Sequence, residues 1–330
     1  MSKILVTGGA GFIGNCFIRH MLNNHPDYKI INLDALTYCG NLDNLKDVEK
    51  NPNYTFIHGN ICNRNLVREI LSDDVDCVVN FAAESHVDNS IKHPEIFVET
   101  NVQGTLNLLQ ASKEFNIQRF LQVSTDEVYG SLGKTGYFYE TTPLAPNSPY
   151  SASKAGADML VRAYHETYKM PTLNTRCSNN YGPYQYPEKL IPFFISQLLK
   201  GEKVPVYGDG LNVRDWLYVY DHCSAIDTVL HQGKIGEVYN IGGHNEKTNM
   251  EITHLILDAM GKDESSIKHV EDRLGHDRRY AISNDKITTE LGWEPSVTFE
   301  QGIKMTIEWY LSHREWMEKI ELKKQQFANA

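Results

Sequence analysis

The first half of the chain alternates short apolar runs with segments that have the spacing of helices. The apolar runs predict β-strands at 3–7, 29–34, 54–58, 77–81, 120–124 and 173–177. Segments 101–115 and 153–169 lie between such runs and carry the longer period of helices. Strands that alternate with helices form βαβ units, so the pattern predicts an α/β fold with a parallel sheet covered on both faces.

The second half of the chain has a different pattern. Turn signals such as Gly182-Pro183 and Gly208-Asp209-Gly210 separate short pieces. Helices are predicted near 189–200, 219–231, 249–260 and 299–319. We therefore expect two units, 1–177 and a smaller C-terminal α/β unit at 178–330, with the chain re-entering the first unit around 214–240.

Composition narrows the class of protein. The 330 residues are 41% hydrophobic and 22% charged, with a formal net charge of −10. This balance argues against a broad basic surface for nucleic acid or an anionic membrane. No signal peptide and no bilayer-spanning apolar run is evident, so we expect a cytoplasmic protein without membrane contact. The six cysteines are scattered without a CxxC pair, which predicts free thiols and argues against a zinc or other metal site.

A glycine loop follows the first strand directly. Gly8, Gly11 and Gly14 have GxxGxxG spacing rather than the tighter GxGxxG. At this place they would allow a tight turn, close approach of a pyrophosphate and packing of the next helix, which begins near Phe12. The alternative is a turn without a ligand. We predict dinucleotide binding on a Rossmann-like doubly wound sheet.

Asp34 ends the second predicted strand, about 20 residues beyond the glycines. A carboxylate here accepts both ribose hydroxyls and repels a 2′-phosphate, which favours NAD over NADP. The alternative is a turn cap, because aspartate is common at such ends.

Two further motifs have the residue types of proton-transfer chemistry. Tyr150 and Lys154 are four residues apart and share a helix face, and an ammonium there would lower the pKa of the phenol. Asp126 and Glu127 stand side by side after the fifth strand, where desolvation of two charges is costly. The alternative for Tyr150 and Lys154 is a pair of exposed side chains. The alternative for Asp126 and Glu127 is a loop with solvated charges.

These motifs, in this order, resemble the extended short-chain dehydrogenase/reductase family over nearly the whole chain. TDEVYG at 125–130, AAESHVD at 82–88 and RCSNNYGPYQYPEKLIP at 176–192 narrow the resemblance to nucleotide-sugar 4,6-dehydratases. The resemblance implies dTDP-glucose as substrate, oxidised at C4, then dehydrated across C5 and C6, with hydride returned to C6 from a tightly held, recycled NAD. It assigns catalysis to Thr125, Asp126 as acid, Glu127 as base, Tyr150 and Lys154.

The resemblance also implies binding residues, position by position. For the cofactor they are Gly8, Gly11, Phe12, Ile13, Gly14, Asp34, Ala35, Leu36, Thr37, Asn60, Ile61, Phe81, Ala82, Ala83, Thr100, Tyr150, Lys154 and Asn180. For the substrate they are Ser85, Thr125, Asn179, Lys189, Leu190, Pro205, Tyr207, Arg214, Asn249, Arg273 and His276. Asn60 stands where relatives often have aspartate. Helices 101–115 and 153–169 are implied to form a four-helix contact in a homodimer.

Other functions remain open at this stage. A UDP-sugar 4-epimerase needs the glycine loop and Tyr150/Lys154 but has no use for adjacent acids. A UDP-glucuronate decarboxylase needs Glu127 without Asp126. A non-catalytic NAD-binding regulator needs neither Tyr150 nor Lys154. These residues also fit a 4,6-dehydratase that acts on a UDP-sugar, because none of them distinguishes thymidine from uridine by a physical criterion.

Overall fold

The computed structural model describes residues 2–272 and 274–328, with side chains as far as Lys323. The strands are β1 (Lys3–Thr7), β2 (Lys29–Asp34), β3 (Tyr54–His58), β4 (Cys77–Asn80), β5 (Arg119–Thr125), β6 (Thr172–Cys177), β7 (Asn179–Tyr181), β8 (Val204–Tyr207), β9 (Val213–Tyr218), β10 (Val238–Ile241), β11 (Glu246–Thr248) and β12 (Ile267–Val270). The helices are α1 (Phe12–Asn24), α2 (Arg64–Leu71), α3 (Val87–Lys92), α4 (Pro94–Phe97), α5 (Thr105–Glu114), α6 (Pro149–Tyr168), α7 (Leu190–Leu199), α8 (Val219–Gln232), α9 (Asn249–Ala259), α10 (Asp285–Leu291), α11 (Phe299–Ser312) and α12 (Arg314–Ala328).

The main sheet has seven strands in the order β10-β6-β5-β4-β1-β2-β3. All its neighbouring strands pair in parallel. The strands β2 and β3 are added on one side of β1, and β4, β5, β6 and β10 are added on its other side. The strand order therefore reverses between β1 and β4. In sheets of this kind ligands bind at the carboxyl ends of the strands, at that reversal. The predicted α/β, Rossmann-like doubly wound fold is confirmed.

Alternating side chains of β1 explain why both faces of the sheet are covered. Ile4 and Val6 pack in a cluster with Phe17 of α1 and Ile226 of α8. Leu5 points to the opposite face and packs in a cluster with residues of α2, α5 and α6. Side chains alternate across a strand with a period of two, so one apolar run serves two layers. Each fully buried side chain contributes about 1.5–3 kcal/mol of transfer free energy.

A smaller unit lies at the carboxyl end of the main sheet. It contains a three-stranded sheet, β11-β9-β7, and a two-stranded sheet, β12-β8. Tyr181, Phe299 and Tyr310 are fully buried in its core. The chain contributes to both units after β9, since α8 packs on α1 and β10 forms the edge of the main sheet. The boundary between 177 and 178 stays a prediction.

Two element boundaries differ from those predicted. The single helix expected at 299–319 is wrong, because His313 leaves helical geometry and separates α11 from α12. Ser312 Oγ bonds the carbonyls of Glu308 and Trp309 there, which competes with the backbone. Helix α6 begins at Pro149, where the segment 149–154 was expected to open it, because Ser148 and Ser151 form a capping box. A π-helical segment, Val98–Gly104, precedes α5.

Strand β10 has only four residues and was not predicted as a strand.

Among the described residues, no helix combines the length and hydropathy that a membrane crossing requires. All six cysteines are free thiols.

Candidate active site

A cavity follows the carboxyl ends of β1, β2, β4 and β5. It is lined by the glycine loop, by the segment after β4 and by the start of α6. Every predicted cofactor residue except Leu36 lines it. Leu36 instead has a left-handed backbone, φ 51°, and its N–H donates to Asp34 Oδ1 over 2.8 Å.

The glycine loop has the close contacts that were predicted for it. A Cβ on Gly8 would lie 2.8 Å from Ala82 Cα, and one on Gly14 would lie 2.7 Å from Gly9 Cα. The N-cap of α1, Gly11, makes no side-chain cap, and the first turn holds no acidic residue. The amino end of this helix therefore offers N–H groups and a positive dipole end without a competing carboxylate. These features fit the pyrophosphate of a dinucleotide.

Asp34 caps the turn after β2, which was one of the two alternatives that the sequence left open. Its Oδ2 accepts the Ala10 N–H at 2.9 Å, which ties the end of β2 to the glycine loop. Burial raises the pKa of Asp34. Each carboxylate oxygen has a second acceptor position, so the cap and a ribose contact are compatible. Asn60 also lines the cavity, and its Oδ1 accepts the Cys62 N–H at 2.8 Å.

Asp126 and Glu127 open a 3₁₀ turn at the end of β5. Thr125 caps this turn, because its Oγ1 accepts the Glu127 N–H at 3.2 Å. The same hydroxyl donates to Asp126 Oδ1 over 3.4 Å. Gly130 ends the turn with a φ of 89°, a conformation that glycine adopts without strain. All three residues, Thr125 to Glu127, line the cavity.

The environment of Asp126 favours its protonated form. The side chain is buried, and burial raises its pKa well above the ordinary value. The carboxylates of Glu127 and Asp215 raise that pKa further. Within the described chain, Asp126 Oδ2 has no hydrogen-bond partner. A buried, protonated carboxyl that faces a cavity is a suitable general acid.

Tyr150 and Lys154 lie in the first turns of α6, and both are buried. The Tyr150 ring meets Phe97 edge to face, with centroids 6.3 Å apart. The Lys154 ammonium donates to the Val123 carbonyl over 2.8 Å. The prediction that Lys154 lowers the pKa of Tyr150 is wrong for this arrangement. Burial raises the pKa of Tyr150, the Glu127 carboxylate raises it further, and only a hydrogen bond with Thr125 lowers it.

A second cavity lies between the main sheet and the smaller unit. The predicted substrate residues Leu190, Pro205, Tyr207, Arg214, Asn249 and His276 line it. Glu127, Asn179 and Lys189 line both cavities, so the two meet beside the acidic pair. Ser85 and Thr125 line the first cavity. Arg273 lies outside the described residues.

The cations of the second cavity are held by the protein. Arg214 donates to the carbonyls of Val213 and Asp277, and its guanidinium lies 4.3 Å from the Tyr280 ring centroid. Lys189 donates to the Ser85 carbonyl over 3.0 Å. These contacts fix the direction of two positive groups, as recognition of a diphosphate requires.

Several residues that line the two cavities were missed by the sequence analysis, among them Glu84, Glu188 and Tyr280. Glu188 stands beside Lys189 in the YPEKLIP stretch and accepts the Tyr38 hydroxyl at 3.1 Å. Burial and Glu188 together raise the pKa of Glu84. Tyr280 follows a pair of arginines, and its hydroxyl donates to Asp277 over 2.5 Å. Glu84 and Glu188 each stand inside a quoted motif, at 82–88 and 176–192, and this position was a signal for both. Tyr280 had no such signal.

Comparison with known proteins places this geometry in a family. A family model described as GDP-mannose 4,6 dehydratase matches residues 5–306. The dTDP-glucose 4,6-dehydratase of Xanthomonas campestris pv. campestris (strain B100) is 53% identical, over 97% of this chain and 96% of that protein.

Two solved structures share both fold and sequence with the chain. The dTDP-glucose 4,6-dehydratase of Bacillus anthracis, in complex with NAD, is 56% identical with a TM-score of 0.91, over 97% of this chain and 100% of that one. The dTDP-glucose 4,6-dehydratase of Streptomyces venezuelae, with NAD and TYD bound, is 51% identical with a TM-score of 0.94, over 96% of this chain and 99% of that one. The chain therefore belongs to the nucleotide-sugar 4,6-dehydratase family of extended short-chain dehydrogenases/reductases that the matching family model represents.

Proposed function

We propose that the protein is an NAD-dependent hydro-lyase that converts dTDP-glucose to dTDP-4-dehydro-6-deoxyglucose and water. The observation that carries this proposal is the adjacent pair Asp126-Glu127 where the two cavities meet, with Asp126 in an environment that keeps it protonated. A dehydration across two carbons needs one group to take a proton and another to give one.

The first cavity is the cofactor site in this proposal. The amino end of α1 binds the pyrophosphate, and Asp34 accepts the ribose hydroxyls. When bound, NAD supplies the acceptor for the C4 hydride and its later return to C6, and its positive ring favours a phenolate nearby. The fit of the glycine loop and the matching NAD-bound relatives support this assignment.

Tyr150 and Thr125 serve the oxidation at C4. Tyr150 takes the proton of the C4 hydroxyl, and Thr125, which hydrogen-bonds Tyr150, contacts the same oxygen. Lys154 fixes the start of α6 to β5 through the Val123 carbonyl. Burial raises the pKa of Tyr150, so a positive charge beside the phenol would favour proton removal.

Asp126 and Glu127 serve the loss of water. The C4 ketone acidifies the proton at C5, and Glu127 removes that proton and gives it back to C5 when hydride is returned to C6. Asp126, held protonated by burial and by its acidic neighbours, protonates the C6 hydroxyl so that it leaves as water. The different environments separate the roles of two identical functional groups, one neutral and one available as a base.

The second cavity is the nucleotide-sugar site in this proposal. Lys189 and Arg214 offer positive charge to the diphosphate within a protein of net charge −10. Tyr207, Asn249 and His276 line the same cavity and contact the nucleoside and sugar.

The proposal includes a homodimer formed through α5 and α6. Support comes from exposed apolar side chains on this side of the molecule, Ile96, Val98 and Met159, on elements that contact one another. Light scattering should give twice the chain mass for the wild type and the chain mass for Val98→Glu/Met159→Glu. Leu255→Glu, a charge added at an exposed site on α9, is the control. An unchanged mass in the double variant would refute the proposed dimer.

Free thiols at all six cysteines support the cytoplasmic location.

The direct test is mass spectrometry of dTDP-glucose incubated with the purified protein, without added NAD. A product lighter by one water establishes the dehydratase and shows that NAD is carried and recycled. The variant Asp126→Asn/Glu127→Gln is the control and should give little of this product. If mass stays unchanged with added NAD, and UDP-glucose instead becomes UDP-galactose, the protein is an epimerase and the proposal fails. Water loss from UDP-glucose but not dTDP-glucose would overturn only the thymidine assignment.

A further inference from the structure

A second cluster of chemical groups lies away from both cavities, where the carboxyl end of α1 meets α8. His20 and His25 come from α1 and its C-cap, and Asp227 and His231 come from α8. None of these residues lines either cavity.

Three imidazoles converge on one carboxylate in this cluster. The Asp227 carboxylate lies 2.7 Å from His20 Nε2, 3.0 Å from His25 Nε2 and 2.8 Å from His231 Nδ1. One ligand atom from each of His25, Asp227 and His231 falls within 4.8 Å of the other two. A single imidazolium neutralises a carboxylate, so three imidazoles exceed what ion pairing requires.

We propose that His25, Asp227 and His231 bind one divalent transition-metal ion of the zinc type. Zinc bonds to nitrogen and carboxylate oxygen are 2.0–2.2 Å long, so two ligand atoms on one tetrahedral ion lie roughly 3.3 Å apart. The nitrogen–oxygen distances of 2.8–3.0 Å need to open by only a few tenths of an ångström, roughly, to admit the ion.

The surroundings orient these ligands. The His25 ring stacks between Tyr28 and His231, with centroids 4.8 and 4.7 Å away. The Tyr28 hydroxyl lies 3.0 Å from His231 Nε2, which leaves Nδ1 to face the carboxylate. His20 Nε2 lies 2.7 Å from Asp227 Oδ2, the oxygen that His25 also contacts. Such outer contacts fix ring orientation and raise affinity in known metal sites.

Binding has an identifiable cost and a competitor. His231 Nδ1 lies 2.9 Å from the carbonyl of Asp227, and the N–H bond to that carbonyl must be given up when the metal binds. The histidines lower the pKa of Asp227, so this carboxylate is ionised as a ligand must be, while Asp227 raises the pKa of His231. Protons therefore compete with the metal, and titration belongs at mildly alkaline pH.

The bound ion would join two helices that are far apart in sequence. His25 and Asp227 are separated by 202 positions, and the cluster is partly exposed, with His25 at 26%, so solvent ions can reach it. An ion that binds only the folded state raises its stability. At a free concentration of 100 times Kd, the melting temperature should rise by roughly 4 °C for a chain of this length.

The test uses the full chain, freed of metal with EDTA and titrated with Zn²⁺ in a calorimeter. Wild type should bind one equivalent, and Co²⁺ should give the visible absorption of a tetrahedral site. Asp227→Asn and His25→Gln should each lose that equivalent, with at least a tenfold rise in Kd. His254→Gln, at an exposed histidine on α9, should keep it.

Several outcomes would overturn the proposal. They are no zinc binding by the wild type in the micromolar range, equal binding by all variants, or loss of binding in His254→Gln alone. Should Asp227→Asn misfold, His25→Gln decides by itself, because circular dichroism can verify its fold. Dehydratase turnover should be the same in His25→Gln and wild type, so failure of this inference is separate from failure of the proposed function.

Discussion

Replacing Asp126 by asparagine removes a proton donor while keeping the shape of the side chain. In the proposed mechanism this change leaves oxidation at C4 intact and slows the loss of water. A positioned general acid contributes about 10²–10⁴-fold to a rate, which corresponds to about 2.7–5.5 kcal/mol of barrier. The side chain is 1% exposed, so bulk water should not replace it.

The same substitution has a predictable effect on stability. The pKa of Asp126 is raised in the folded protein above its ordinary value of 3.8. Between these two pKa values the folded state keeps a proton that the unfolded state has lost, so wild-type stability falls as pH rises. The slope is about 1.4 kcal/mol per pH unit. Asparagine does not titrate, so the variant gains stability relative to wild type as pH rises through this range.

Two assays measure these effects. Rapid mixing with dTDP-glucose, followed by absorbance of reduced cofactor and by mass spectrometry, separates oxidation from water loss. Reduced cofactor should accumulate in Asp126→Asn and not in wild type. Urea unfolding at about pH 5 and about pH 7 gives the stability difference. Asp258→Asn, on the exposed side of α9, is the matched control and should change neither quantity.

The assigned role of Asp126 is wrong if oxidation and water loss slow by the same factor. It is also wrong if turnover stays within about threefold of wild type, well below a general-acid contribution. A stability difference that does not change with pH would show that Asp126 is ionised in the folded protein.

Three further changes test other parts of the structure. Tyr150→Phe keeps the ring against Phe97 but removes the base, so C4 oxidation, read as cofactor reduction, should slow by about 10²–10⁴-fold. Gly14→Ala places a Cβ 2.7 Å from Gly9 Cα, so NAD content after purification should fall and stability should drop by about 1–3 kcal/mol. The Arg176 guanidinium lies 2.9 Å from the fully buried Asp158 carboxylate, and Arg176→Met leaves that carboxylate without its partner. Denaturant unfolding should therefore show a free energy of unfolding that is lower by about 3–5 kcal/mol.

Matched substitutions make these results specific. Tyr139→Phe, at an exposed tyrosine, should oxidise substrate normally, and equal slowing in both variants would remove Tyr150 as the base. A Cβ on Gly133 meets nothing within 4 Å, so Gly133→Ala should retain NAD, and equal loss there would contradict the packing explanation. Arg68→Met breaks an exposed ion pair with Glu114 and should leave the unfolding curve nearly unchanged.

The sequence by itself determined the fold class and most of the cofactor cavity. Strands that are apolar on both faces require helices on both faces, and the glycines and Asp34 stand at fixed distances after β1 and β2. Such local patterns are encoded within a few dozen residues, so they can be recognised before the chain is folded. The substrate residues came from resemblance, since no local pattern links Lys189 with Arg214.

Tertiary structure decided the electrostatics and the contacts between distant segments. Tyr150 and Lys154 share a helix face, yet Lys154 bonds the Val123 carbonyl and burial dominates the pKa of Tyr150. The pKa of Asp126 is raised because packing removes the carboxyl from water and brings Glu127 and Asp215 near. The scattered cysteines argued against a metal site, whereas folding brings His25 to Asp227 across 202 positions. Desolvation and long-range proximity depend on the whole packed chain, and for that reason no single stretch of sequence contains them.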